Sequence, residues 1–259
     1  MLLVFLTAVG VGGATVIGAL IGFTFKGLSH KFSNLIVSFA AGIMLSAAVM
    51  GLILPSVEYG GRFGVIVAVT GILIGGVCIN LSDNLVPHIQ KIVAPHPSSM
   101  STPSQKGEGL GKNTVRSVLL FAIAIGIHNL PEGIAAGVGF GSGDVENAIL
   151  IASGIALHNI PEGMVIIAPM LAAGISPKKT FIFAMITGLA EVIGTVIGYF
   201  AVSFASMILP FALAFAGGTM LYVISEEMIP ETHASGEESK VTYAFLCGFC
   251  VMLVLNAVT

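Results

Sequence analysis

The chain is 259 residues long, 56% hydrophobic and 9% charged, with a formal net charge of −3 and three cysteines. Soluble domains carry roughly 25% charged residues, so this composition cannot cover a soluble surface, and several apolar runs reach the ~20 residues that cross a bilayer. No basic patch points to nucleic acid, and the cysteines form no disulfide framework.

Apolar runs, cut by turn residues and charges, predict eight helices over about residues 2–25, 32–55, 63–88, 115–140, 146–172, 178–203, 206–230 and 241–258. The expectation is an all-α polytopic membrane protein with one transmembrane domain over 1–259. The first run has no basic residue ahead of it and Lys26 behind it, so it reads as a retained span and not a cleaved signal. The stretch at about 92–113 is rich in Pro, Ser and Gly and is expected to be a mobile loop. In the last run, Cys247 and Cys250 form a C-x-x-C, which reads more simply as two small packing residues than as a metal site.

Eight spans place odd-numbered loops on one side of the membrane. Lys26, Lys31, Lys91, Lys106, Lys112, Arg116, Lys178, Lys179 and Lys240 fall on that side, and Arg62 on the other. By the positive-inside rule the third loop is cytoplasmic and both termini lie outside an inner (plasma) membrane. Span two, "FAAGIMLSAAVMGLILPSVE" (39–58), resembles span seven, "FAGGTMLYVISEEMIPETH" (215–233). Five spans apart, the two helices cross in opposite directions, which predicts an inverted repeat.

Spans four and five each carry a polar sextet, "HNLPEG" (128–133) and "HNIPEG" (158–163). His128 and Glu132, like His158 and Glu162, are four residues apart and share one helix face. Asn129 and Asn159 sit about 100° around from their histidines. Pro131 and Pro161 release the carbonyls of Ile127 and Leu157, and Gly133 and Gly163 let another helix approach. Glu191 adds the one charge inside span six. Insertion scales charge roughly 2.5–3.5 kcal/mol for an ionised residue at a helix centre, so three glutamates cost about 8–10 kcal/mol. A bound cation cancels that cost and their mutual repulsion. Two imidazoles with carboxylates suit zinc and its first-row neighbours, whereas calcium and magnesium prefer all-oxygen shells.

At these residues the chain resembles the ZIP family of divalent-metal transporters, in its prokaryotic GufA-like branch. The resemblance runs end to end, with the two sextets as its most specific marks. It implies a 3+2+3 arrangement and a binuclear metal centre between spans two, four, five and six. The ligands it implies are Met44, His128, Asn129, Glu132, His158, Asn159, Glu162 and Glu191, with Glu132 and Glu162 bridging the metals. The cargo it implies is Zn²⁺, with Fe²⁺, Mn²⁺, Cd²⁺ and other divalent ions open, carried toward the cytoplasm. A homodimer is one assembly such a chain allows. Where the family's third loop is often histidine-rich, this one has only His96.

Polar residues mark the two ends of the path. Glu58, Asp144 and Glu146 make an acidic mouth at the outer side that concentrates cations. Asp83 and His88 end span three; Glu226 and Glu227, then Glu231 and His233, end span seven. The resemblance implies a cytoplasmic exit there, although Glu231 and His233 read equally well as solvated helix ends. The alternative is a membrane-embedded metalloenzyme using the same His/Glu cluster. A zinc protease needs H-E-x-x-H and a di-iron bundle needs Glu-x-x-His; the sextets have neither order.

Overall fold

The computed structural model describes residues 1–24, 30–93, 129–141, 143–172, 175–204, 206–233 and 238–258, with the backbone alone over 82–93. The regular structure among the described residues is helical. α1 is Leu2–Thr24. α2 starts as His30–Ser46, widens into a π turn over Ala47–Ile53 and finishes as Leu54–Tyr59. α3 is Gly64–Val93, α4 covers 129–141, α5 is Val145–Ala172 and α6 is Pro177–Phe204. α7 runs as Leu209–Val223, a π turn at Ile224–Met228, then Ile229–His233, and α8 is Glu238–Val258. The stretch expected to be a mobile loop and the expected start of span four lie outside the described residues.

α1, α2, α3, α6, α7 and α8 supply six helices long and apolar enough to cross a membrane. α5, which carries the second sextet, is 28 residues long. Large apolar side chains stand exposed on the outer faces, among them Val65, Ile66 and Leu73 of α3 and Ile186, Leu189 and Ile197 of α6. A soluble monomer does not tolerate apolar faces of that extent; lipid does. This is a polytopic helical membrane protein.

The π turns lie inside spans two and seven, where the apolar pattern predicted helix and gave no sign of a widened turn. Each ends two residues before a proline, Pro55 in α2 and Pro230 in α7. A proline ring crowds the carbonyl four residues back and offers that carbonyl no N–H, and a widened turn relieves both problems. The N–H of Leu54 accordingly reaches five residues back to Val49, and that of Ile229 to Ile224. The Gly51 carbonyl, left without Pro55 as donor, accepts the Asn147 amide of α5 at 3.4 Å.

Close packing falls on few helix pairs. α1 lies against α5 and α6, α3 against α7, and α8 against the first part of α2. The π turn and last part of α2 lie instead against α7. α4 lies against α6, because a methyl at Gly133 would run into the Glu191 carbonyl and one at Gly194 into the Leu130 carbonyl. Buried Met44, Ala48, Leu52, Ala135, Ile151, Ile155, Leu213 and Met220 join α2, α4, α5 and α7 in one apolar core.

Candidate metal centre

The sextets meet inside that core. Glu132 of α4 is 5% exposed and His158 of α5 is 1% exposed; Glu162, one turn on from His158, is half-buried. Ligand-capable atoms of these three side chains lie within 4.8 Å of one another. The His158 Nδ1 is 3.1 Å from the Gly154 carbonyl. A carbonyl oxygen only accepts, so Nδ1 carries the proton and Nε2 is the atom free to bind a metal. That Nε2 lies 3.1 Å from Glu132 Oε2, and neither atom has a hydrogen-bond partner.

Behind this trio sits Glu191, fully buried. Its Oε1 accepts the Asn129 amide at 2.5 Å and the Thr15 hydroxyl of α1 at 2.6 Å. Its Oε2 accepts the Asn159 amide at 2.5 Å, and the same amide reaches the Val11 carbonyl at 3.2 Å. Both asparagines spend their N–H groups here, and their carbonyl oxygens are left buried with no partner.

Among the described residues, four buried acceptors therefore lack a donor: Asn129 Oδ1, Asn159 Oδ1, Glu132 Oε2 and His158 Nε2. Leaving one such atom dry and unpaired costs on the order of 1–3 kcal/mol. One imidazole nitrogen, carboxylates and amide oxygens together form a donor set for a borderline first-row divalent cation. Cations bound here would satisfy these acceptors, for which the described residues supply no hydrogen-bond donor.

The structure thus brings Glu132, His158 and Glu162 together and sets Asn129, Asn159 and Glu191 directly behind them. Met44, 1% exposed, joins from α2: it lines a crevice with Ile79, Pro131, Glu132, Thr219, Met220 and Val223. His128 lies outside the described residues. At one end of the bundle Glu58, Asp144 and Glu146 are exposed. Asp144 also caps α5, accepting the Asn147 backbone N–H at 3.1 Å, and takes the Tyr59 hydroxyl at 3.4 Å. At the other end Glu226 is exposed and Glu227 half-buried in the π turn of α7. The side chains of Asp83, His88 and Glu231 lie outside the described set. His233 is engaged at both ring nitrogens, by the Ile229 carbonyl at 2.9 Å and Thr242 Oγ1 at 3.4 Å, which favours a helix-end role.

Two residues at the site escaped sequence reasoning, Thr15 and Met220. The signal for Met220 was present, since it occupies the place of Met44 in the repeated Met-Leu segment. Thr15 gave no signal by itself, being one of three threonines, with Thr7 and Thr24, in an apolar helix.

The profile of the family described as ZIP Zinc transporter matches residues 82–256. The chain is 36% identical to Zinc transporter GufA of Myxococcus xanthus over 252 residues, 95% of this chain and 94% of that one. It is 37% identical to Zinc transporter ZupT of Chlorobaculum parvum over 94% of this chain and 92% of that one. It is 31% identical to human Zinc transporter ZIP11 over 94% of this chain and 93% of that protein.

Proposed function

Because the chain belongs to the ZIP family of zinc transporters, in its GufA-like branch, we propose that it carries zinc toward the cytoplasm through a binuclear centre inside the membrane. It is a transporter and not an enzyme. The observation that carries the reading is the cluster of four unpartnered buried acceptors beside Glu162. Glu132 and Glu162 bridge the two ions; His158 and Met44 complete one position, and Asn129, Asn159 and Glu191 the other. His128 extends the set. Glu58, Asp144 and Glu146 gather cations at the outer mouth, and Asp83, His88, Glu226 and Glu227 conduct them out on the cytoplasmic side.

The fold we propose is eight spans over residues 1–259 in a 3+2+3 inverted repeat, and the packing supports it. Gly12, Gly18 and Gly22 of α1 recur with the same spacing as Gly188, Gly194 and Gly198 of α6. Gly18 and Gly22 are seated against the carbonyls of Ile160 and Met164 in α5, and Gly194 and Gly198 against those of Leu130 and Ile134 in α4. Leu130 and Ile160 hold the same place in the two sextets. Phe39 and Gly42 of α2 pack on α8 as Phe215 and Gly218 of α7 pack on α3. Exchanging α1 with α6, α2 with α7, α3 with α8 and α4 with α5 therefore leaves the packing scheme unchanged.

The test is uptake into proteoliposomes loaded with a zinc-sensitive dye. Zinc is expected to enter, and competing Cd²⁺, Fe²⁺ and Mn²⁺ rank its selectivity; no zinc entry into sealed vesicles refutes the reading. Orientation has its own test. In a chain with Cys78, Cys247 and Cys250 replaced by serine, Val145→Cys and Lys178→Cys stand at opposite ends of the α5 crossing. The first is expected to react with an impermeant maleimide from outside and the second from the cytoplasm only. Labelling of both from one side breaks the eight-span arrangement.

A further inference from the structure

We propose that Thr15 is a positioning residue for the metal centre: its hydroxyl anchors Glu191, and through Glu191 aims the two sextet asparagines. The proposal rests on the reading of the cluster as the zinc site. A buried threonine in a helix ordinarily returns its hydroxyl to a carbonyl three or four residues back. Thr180, Thr187, Thr195, Thr219 and Thr232 all do this here, with Ser176, Ala184, Glu191, Ala216 and Ile229 as acceptors. Thr15, equally buried, instead donates across to the Glu191 carboxylate at 2.6 Å.

The consequence follows from donor and acceptor counts. An Asn side chain has one N–H₂ and one oxygen. Glu191 draws the N–H₂ of Asn129 and of Asn159 toward itself, which fixes each amide so that its oxygen stays bare. The carboxylate is held by these two amides and by Thr15 alone among the described side chains. Without the hydroxyl it can swing about the two amides, and both oxygens lose their aim.

Position in the repeat explains why this place holds a threonine. Thr15 stands between Gly12 and Gly18 as Glu191 stands between Gly188 and Gly194. The carbonyl of Thr15 seats Gly163 just as the carbonyl of Glu191 seats Gly133. The two side chains are therefore counterparts that meet at the pseudo-twofold axis. Two carboxylates there would face each other at hydrogen-bonding distance in a dry core, so one counterpart must be a neutral donor. The site owes its odd glutamate to this broken symmetry.

The test is equilibrium zinc binding to purified, detergent-solubilised protein, in a cycle with Glu191→Gln. Thr15→Val keeps the shape and removes the donor; it is expected to weaken zinc binding about 10–100-fold, the range for groups that orient ligands. Thr15→Ala must show the same loss, and Thr15→Ser must restore affinity to within about threefold of wild type, a range set by the retained hydroxyl. In the Glu191→Gln background Thr15→Val should cost nothing further, because its effect runs through the carboxylate. Wild-type binding by Thr15→Val, or an undiminished loss in the Glu191→Gln background, overturns the proposal. Glu162→Ala, measured in parallel, separates the two readings: if it binds zinc normally, the site itself is misassigned whatever Thr15 does.

Discussion

Glu162→Ala is expected to abolish zinc uptake while the protein inserts, purifies and unfolds at a temperature no lower than wild type. The two halves of this outcome have different causes. Transport fails because Glu162 lies within 4.8 Å of both Glu132 and His158 and completes their cluster. Groups that merely orient a ligand are worth 10–100-fold in affinity, so removal of a ligand itself should exceed about 100-fold. Stability survives because, among the described residues, no neighbour depends on a hydrogen bond from Glu162, and its removal relieves repulsion between crowded carboxylates. Initial rates in proteoliposomes, with thermal unfolding in detergent as the fold check, decide it. Uptake within twofold of wild type, with a normal melting curve, would remove Glu162 from the path.

The second large effect should come from one added methyl. At Gly133 a Cβ points at the backbone carbonyl of Glu191, with no room to spare. A flexible side chain could yield; a helix backbone cannot, so Gly133→Ala must push α4 away from α6. Overpacking of this kind costs about 1–3 kcal/mol. The displaced segment carries Asn129 and Glu132, so the amide loses its hold on Glu191 and the carboxylate loses His158. Both lower thermal stability and strongly reduced zinc uptake are expected. Gly13→Ala is the control: nothing lies within 4 Å of a Cβ there, and helix propensity favours alanine by up to about 1 kcal/mol. If the two variants melt together and transport alike, the close α4–α6 approach is wrong.

Much of the site was legible because a membrane helix makes polarity conspicuous. His158, Glu132, Glu162 and Glu191 stand out in apolar runs, and i, i+4 spacing already puts each histidine and glutamate on one face. What spacing cannot give is which helix meets which. Glu191 reads as a bare charge in sequence, yet in the fold it is the acceptor of three neutral donors from three other helices. Thr15 was invisible for the converse reason: threonine satisfies itself on its own backbone so readily that its presence in a span carries no message. Among the described residues the helices lie close to where apolar periodicity puts them. The π turns were not legible, since the hydrophobic pattern records which residues are apolar and not how many form a turn. Pro55 and Pro230 were the available clue.

The π turn of α2 also settles a matter of phase. From Met44 to Pro55 the chain takes one more step than from Met220 to Pro230, and the π turn is seven residues long in α2 and five in α7. A surplus residue rotates everything beyond it by about 100° relative to a regular helix. A single helical wheel drawn for α2 is therefore wrong by one spoke past Ser46. The rotation lets one helix serve two neighbours, its first part turned to α8 and the remainder to α7. When the halves of the proposed inverted repeat are aligned, the gap belongs inside that turn, where a lost or gained residue changes the partner a face looks at and leaves the span intact.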